Sequence, residues 1–138
     1  MAGADVVYTT DVTDVSAAEL EGFFADWPTR PSSERHREIL RGSDHVVLAR
    51  DGDTGRVVGF VTAISDGVLS AFIPLLEVVP ERQREGIGTE LVRRILAELE
   101  SFYMVDLVCD PELESFYRRF ELLPLSAMGL RRRHRLAS

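Results

Sequence analysis

The most constraining stretch of this chain is a strand, a proline, a polar loop with two glycines and a long amphipathic helix, in immediate succession. Residues 68–79 form a long β-rich run that stops at Pro80. Residues 81–86 are polar. From Ile87 to Glu100 the apolar residues Ile87, Leu91, Ile95 and Leu99 recur every four positions, widened by Val92 and Leu96. Glu90, Arg94 and Glu98 repeat at the same interval on the opposite face. Residues 102–109 are β-rich again. Two strands joined through a helix need a crossover, so these two are expected to lie parallel in one sheet.

The rest of the chain arranges itself around that unit. Residues 5–10 read as a strand. Ser16 and Glu19 form a capping box opening a helix whose stripe is Leu20, Phe23 and Phe24, and Trp27-Pro28 ends it. Residues 32–41 read as a polar helix closed by Gly42. Two strands, 45–50 and 56–64, flank the turn Asp51-Gly52-Asp53-Thr54-Gly55, and a second turn at Ser65-Asp66-Gly67 leads into the long strand. Pro74 removes a ladder N–H inside that strand and calls for a bulge or an edge there. Asp110-Pro111 opens a helix with the stripe Leu113, Phe116, Tyr117 and Phe120, and residues 123–133 read as a closing strand. The expectation is one domain spanning residues 1–138, of α/β (α+β) class, with a mixed, mostly antiparallel central sheet and helices on both faces.

Composition narrows the function classes. Sixteen basic residues, all arginine, stand against 23 acidic ones, a net charge of −7 that argues against a general nucleic-acid binder. The absence of lysine fits a GC-rich genome or a salt-adapted cytoplasm. No uncharged run is long enough to cross a bilayer, and the first residues carry no secretory pattern, so no membrane partner is expected. The lone Cys109 cannot form an internal disulfide, which points to a reducing cytoplasm. His36, His45 and His134 sit at no metal-ligand spacing, nor beside Cys109 as a nucleophile's partner, so no metal is expected.

The loop before the long helix carries the chemistry. The first turn of a helix exposes unpaired N–H groups that suit a phosphate, and Gly86 and Gly88 keep side chains out of the way. The same glycines also serve a plain tight turn. With no lysine this is not a nucleotide-binding P-loop, and Thr89-Glu90-Leu91 lacks the third glycine of a dinucleotide fingerprint.

Gln83-x-x-Gly86-x-Gly88 on a strand–loop–helix resembles the acetyl-CoA signature (R/Q-x-x-G-x-G/A) of the GCN5-related N-acetyltransferases, the GNAT superfamily. Leu76-Glu77-Val78-Val79-Pro80 is similar to that family's L-x-V-x-P strand end. Asp110 and Tyr117 fit its N-x-x-A-x-x-x-Y spacing, and Phe116-Tyr117-Arg118-Arg119-Phe120 resembles its F-Y-x-x-x-G-F helix. Arg84 stands where the family has glycine, Asp110 replaces asparagine, Leu113 replaces alanine, and Glu121-Leu122 replaces Gly-Phe.

The resemblance implies a GNAT-like sheet with its parallel βαβ unit at the acetyl-CoA site. It implies direct transfer of an acetyl group from acetyl-CoA to a primary amine of a small molecule or peptide, without a metal. An acyl-CoA sensor without turnover, or another acyl group or acceptor, are the alternatives. Val78 would offer its backbone N–H to the developing oxyanion, and Tyr117 would protonate the leaving thiolate. Glu77, which strand alternation turns toward a face covered by helices, would take the amine's proton, with a chain of waters in its place as the alternative. Val78, Val79, Gln83, Arg84, Glu85, Gly86, Ile87, Gly88 and Thr89 would hold the cofactor, with Asp110 and Tyr117 along its arm and Arg82 adding charge. Trp27, Phe72 and Glu77 would face the acceptor. Plainer readings stand beside these: Tyr117 packs in its helix stripe, Asp110 caps the Pro111 helix, and Phe23 and Phe24 fill the core. Pairing through a sheet edge makes a homodimer the expected assembly.

Overall fold

Short turns force neighbouring β-rich runs to pair as hairpins. In the computed structural model, which describes residues 5–136, five strands form one sheet in chain order. β1 (Val6–Thr9), β2 (His45–Asp51), β3 (Val57–Ser65) and β4 (Ser70–Val78) are successively antiparallel, and β5 (Met104–Leu107) lies parallel to β4. The carboxylate of Asp51 accepts from the Asp53 and Thr54 N–H groups (2.9 Å each) and closes the β2–β3 turn. Asp66 does the same for Val68 and Leu69 at 2.8 Å, closing β3–β4.

The crossover between β4 and β5 is α2 (Ile87–Glu98), which covers one face through Ile87, Leu91, Val92 and Ile95. It sits unusually close to β3. A Cβ placed on Gly59 would meet Leu91 Cδ1 at 3.1 Å and Ile87 Cγ2 at 3.2 Å. The other face is covered by α1 (Ser33–Gly42) and the 3-10 turn Ala17–Leu20, with Phe23, Phe24 and His36 packed on Phe60. β3 is consequently buried on both faces from Val57 to Ala63. The expected mixed sheet with helices on both faces is therefore present.

Two expected elements are not. The capping box forms, with the Ser16 N–H donating to Glu19 Oε1 at 2.9 Å, but only one 3-10 turn follows. Gly22 and Phe24 take left-handed backbone angles (φ 96° and 60°), which end the helix and send both phenylalanines into the core. The closing strand is also absent. After α3 (Glu114–Arg118), Glu121 at φ 69° turns the chain away, and residues 122–131 make no backbone–backbone hydrogen bond among the described residues.

Pro74 sits where the ladder tolerates it. The β3–β4 register slips between Thr62 and Ile64, leaving Ile73 and Pro74 opposite Ala63, and the β4–β5 pairing ends at Ile73.

Candidate active site

That slip opens the sheet. Beyond Ile73 and Leu107 the parallel strands part, so the last residues of β4 keep β3 on one side and no strand on the other. The Val79 N–H donates to the Val58 carbonyl at 2.9 Å. Amides alternate in direction along an antiparallel ladder, so the polar backbone groups of Val78 point the opposite way, into the gap. The Gln83 side chain reaches them there, its Nε2 donating to the Val78 carbonyl at 3.1 Å. The Val78 N–H is left facing the opening.

The loop that follows is braced from beneath. Arg82, expected to add charge to a solvated loop, is buried: Nη1 donates to Asp51 Oδ2 at 2.8 Å and Nε to Glu85 at 3.0 Å. It pins the loop to the β2–β3 turn. Glu85 thus spends its carboxylate on Arg82 and has only its backbone to offer a ligand. Gly86 caps α2 at φ 84°, and no side chain satisfies the helix's first turn. The first intrahelical bond runs from the Glu90 N–H to the Gly86 carbonyl at 3.1 Å, so the N–H groups of Ile87, Gly88 and Thr89 stand ahead of the ladder. Val79 and Ile87 have buried side chains, and the Val79 N–H is already taken by the Val58 carbonyl. Arg84 is exposed.

On the α1 face, Glu77 lies opposite Phe60 and its Oε1 accepts from the Phe24 N–H at 2.9 Å. Burial pushes the Glu77 carboxyl above its ordinary range, the Phe24 N–H opposes that, and Asp26 adds to it. Phe24 stacks edge-on against Trp27 (4.9 Å), which is 37% exposed, so Glu77 and Trp27 belong to one corner. Phe23 and Phe24 also border an open cavity of about 430 Å³, which Arg30, Ser32, Ser33 and His36 line with them. His36 is 1% exposed; neither ring nitrogen has a partner among the described residues, and burial lowers its pKa to about 4.

Tyr117 lies on α3 against Phe116 (5.0 Å), and burial, with a smaller contribution from Cys109, pushes its phenol up to about 12. Arg119, just after α3, donates through Nη2 to Thr89 Oγ1 at 3.4 Å and ties this helix to the start of α2. Asp110 precedes the 3-10 turn Pro111–Leu113 but its side chain makes no cap there. Phe72 stands apart from the rest. It is 40% exposed in a shallow depression with Ile64 and Met104, five residues before Glu77 and about 16 Å along the strand.

Comparison with known proteins gives this arrangement a family. The model of the acetyltransferase (GNAT) family matches residues 12–121. The chain belongs to the GNAT acetyltransferase family. It is 48% identical to a candidate acetyltransferase of Deinococcus radiodurans R1 whose crystal structure superposes with a TM-score of 0.89, over 94% of this chain and 90% of that one. A GNAT-family acetyltransferase of Streptococcus pneumoniae TIGR4 is 26% identical with a TM-score of 0.75, over 94% and 99% of the two chains. Among curated proteins, serotonin N-acetyltransferase 2 (chloroplastic) of Oryza sativa subsp. japonica is 32% identical over 93 residues, 64% of this chain and under half (46%) of that protein. The uncharacterized N-acetyltransferase ycf52 of Porphyra purpurea is 26% identical over 82% of this chain and 68% of its own length.

Two departures from the GNAT pattern now have a structural meaning. Arg84 and Glu121 both stand where the family has glycine, and both hold left-handed backbone angles (φ 67° and 69°). The turns are kept although the residue suited to them is gone, at about 1–2 kcal/mol each. Sequence reading missed three residues that build the site: Gly59, which lets α2 approach; Arg82, as a buried brace; and His36, at the cavity. Gly59 had a signal, an isolated glycine inside a β-rich run. The other two had none, since the burial of Arg82 depends on Asp51, 31 residues away, and that of His36 on rings from other parts of the chain.

Proposed function

We propose that this GNAT protein transfers an acetyl group from acetyl-CoA to a primary amine of a small molecule or peptide. One observation carries the reading: the Val78 N–H faces the gap between β4 and β5, on the same strand–loop–helix that presents the uncapped first turn of α2. A thioester whose diphosphate rests on the N–H groups of residues 83–89 would lay its arm toward that gap. Its carbonyl oxygen would then meet an amide donor as charge develops.

The other groups take roles consistent with their surroundings. Glu77, with its raised pKa, is a better proton acceptor than an exposed carboxylate, and the amine must lose a proton before its nitrogen attacks the carbonyl carbon. As the carbon–sulfur bond breaks, Tyr117 gives a proton to the departing thiolate; its raised pKa keeps the phenol protonated until then. Burial and the neighbouring Glu114, Asp110 and Glu112 hold the Cys109 thiol protonated, which favours direct attack over an acyl-cysteine route. The cavity bounded by Phe24, Arg30 and Ser32, next to Trp27, is the space on the Glu77 side for the acceptor.

The test is thiol release from acetyl-CoA across a panel of amines. Release that depends on the amine supports transfer. Tight acetyl-CoA binding without such release would replace it with an acyl-CoA sensor.

A further inference from the structure

Groups of opposite charge border the cavity next to Trp27. Phe24 lines it, and its N–H donates to Glu77 Oε1 at 2.9 Å, with Asp26 adding negative charge near that carboxylate. Arg30, Ser32 and Ser33 line the cavity as well, and they form the entry to α1. The Ser32 hydroxyl accepts the Arg35 N–H at 3.1 Å, and the first intrahelical bond runs from the His36 N–H to the Ser32 carbonyl at 2.9 Å. The N–H groups of Ser33 and Glu34 therefore stand ahead of the ladder, at the electropositive end of a ten-residue helix. Arg30 makes no ion pair or hydrogen bond among the described residues, and neither does the Ser33 side chain.

Water alone could satisfy a helix start, but His36 asks for more. It lines the same cavity, is 1% exposed, and has both ring nitrogens without a partner among the described residues. A buried donor and acceptor left unmet are costly. A group entering the cavity can meet one of them, since a histidine ring turns on a soft χ2. The surrounding charge gives that group its sign. The chain carries −7 overall, yet residues 29–37 hold Arg30, Arg35 and Arg37 against Glu34 alone. The Arg135 carbonyl accepts from Arg35 Nη2 at 3.4 Å, which brings the end of the arginine-rich stretch 131–135 against the same helix. Glu21 lines the cavity too, but the Arg56 guanidinium donates to its carbonyl at 3.0 Å and sets a cation beside it.

Resting on the reading of this cavity as the acceptor's, we propose that the acceptor is an amine that also bears an anionic group, a carboxylate or a phosphate. Arg30, the Ser33 hydroxyl and the first turn of α1 hold the anion, and the amine turns to Glu77. A guanidinium fork and a helix start both favour an oxyanion. The neutral His36 ring donates one N–H to the same group. A cavity of about 430 Å³ is of the size that takes a small molecule.

Two matched pairs of amines test this: γ-aminobutyrate against γ-aminobutyramide, and O-phosphoethanolamine against ethanolamine. Each is followed by thiol release from acetyl-CoA and, separately, by calorimetric binding in the presence of CoA. The anionic member of one pair should exceed its neutral partner about tenfold or more in kcat/KM, mostly through KM, and the pair that does so tells carboxylate from phosphate. Arg30→Gln changes an exposed side chain and should narrow that preference to about threefold or less. Equal use of charged and neutral members, or a preference that survives Arg30→Gln, would overturn the proposal and leave acetyl transfer standing. Anionic binding that Arg30→Gln abolishes, with no amine-dependent release, would keep the anion subsite and remove the transfer reading. Neither release nor binding at millimolar concentrations of the anionic amines would overturn the proposal.

Discussion

The two walls of the candidate site are built by different means. The β4–α2 corner, residues 78–89, is made of backbone: a turned-out amide, a left-handed glycine and a first helical turn without a cap. The opposite wall, residues 20–36, is made of side chains gathered from distant positions, with Phe24 reaching Glu77 across 53 residues and His36 packed on Phe60. A backbone site tolerates many side chains so long as the geometry holds. A side-chain site changes character with each residue. This is why the first wall fits a carrier shared by a whole family, while the second is where acceptor choice would reside.

The contrast can be broken at its strongest point by Gly86→Val. A β-branched residue at φ 84° strains the cap of α2, and acetyl-CoA affinity should fall about a hundredfold or more by calorimetry. An unchanged dissociation constant would remove the backbone wall from the cofactor site.

The side-chain wall should announce itself through pH. His36 is neutral in the fold down to about pH 4 but takes a proton near 6.5 when unfolded. Its contribution is therefore complete above pH 6.5 and is lost as pH falls toward 4, by about 3 kcal/mol. Glu77, with its raised pKa, has the opposite sign, stabilising more as pH falls. Urea denaturation of His36→Phe beside the parent isolates the histidine, and the variant should lack this loss.

Within the chemistry, Tyr117→Phe should lower kcat about tenfold to a hundredfold while leaving the acetyl-CoA dissociation constant nearly unchanged. Parent-like turnover would return Tyr117 to a packing role. Glu77→Gln is expected to cost about tenfold in kcat/KM and to erase the acid limb of its pH profile; a limb that survives belongs to another group. The smallest effect is at Arg84→Gly. Relief of the left-handed strain outweighs the added freedom of the unfolded chain, so the melting temperature should rise slightly, for a gain under about 1 kcal/mol.

How much of this was legible follows the same division. The βαβ unit, the hairpins and the bulge demanded by Pro74 could be read because each rests on a local period or on one residue's geometry. The loop at 83–89 was legible for that reason too. The segment after Ser16 was not, because its capping box is a true local signal overridden when Phe23 and Phe24 are drawn onto Phe60. Residues 123–133 look like a strand to any local rule, yet a strand exists only with a neighbour, and none pairs with them among the described residues.

The amino-acid order alone settled the parallel crossover, the glycine cap of α2 and the turns that make the sheet antiparallel elsewhere, since these depend on contacts within a few residues. Only the tertiary structure decided that β4 and β5 part after Ile73, that Glu77 meets Phe24, and that Arg82 is a brace. Those outcomes depend on which distant groups arrive to compensate a missing N–H, a buried charge or an unpaired donor, and no pattern along the chain records their arrival.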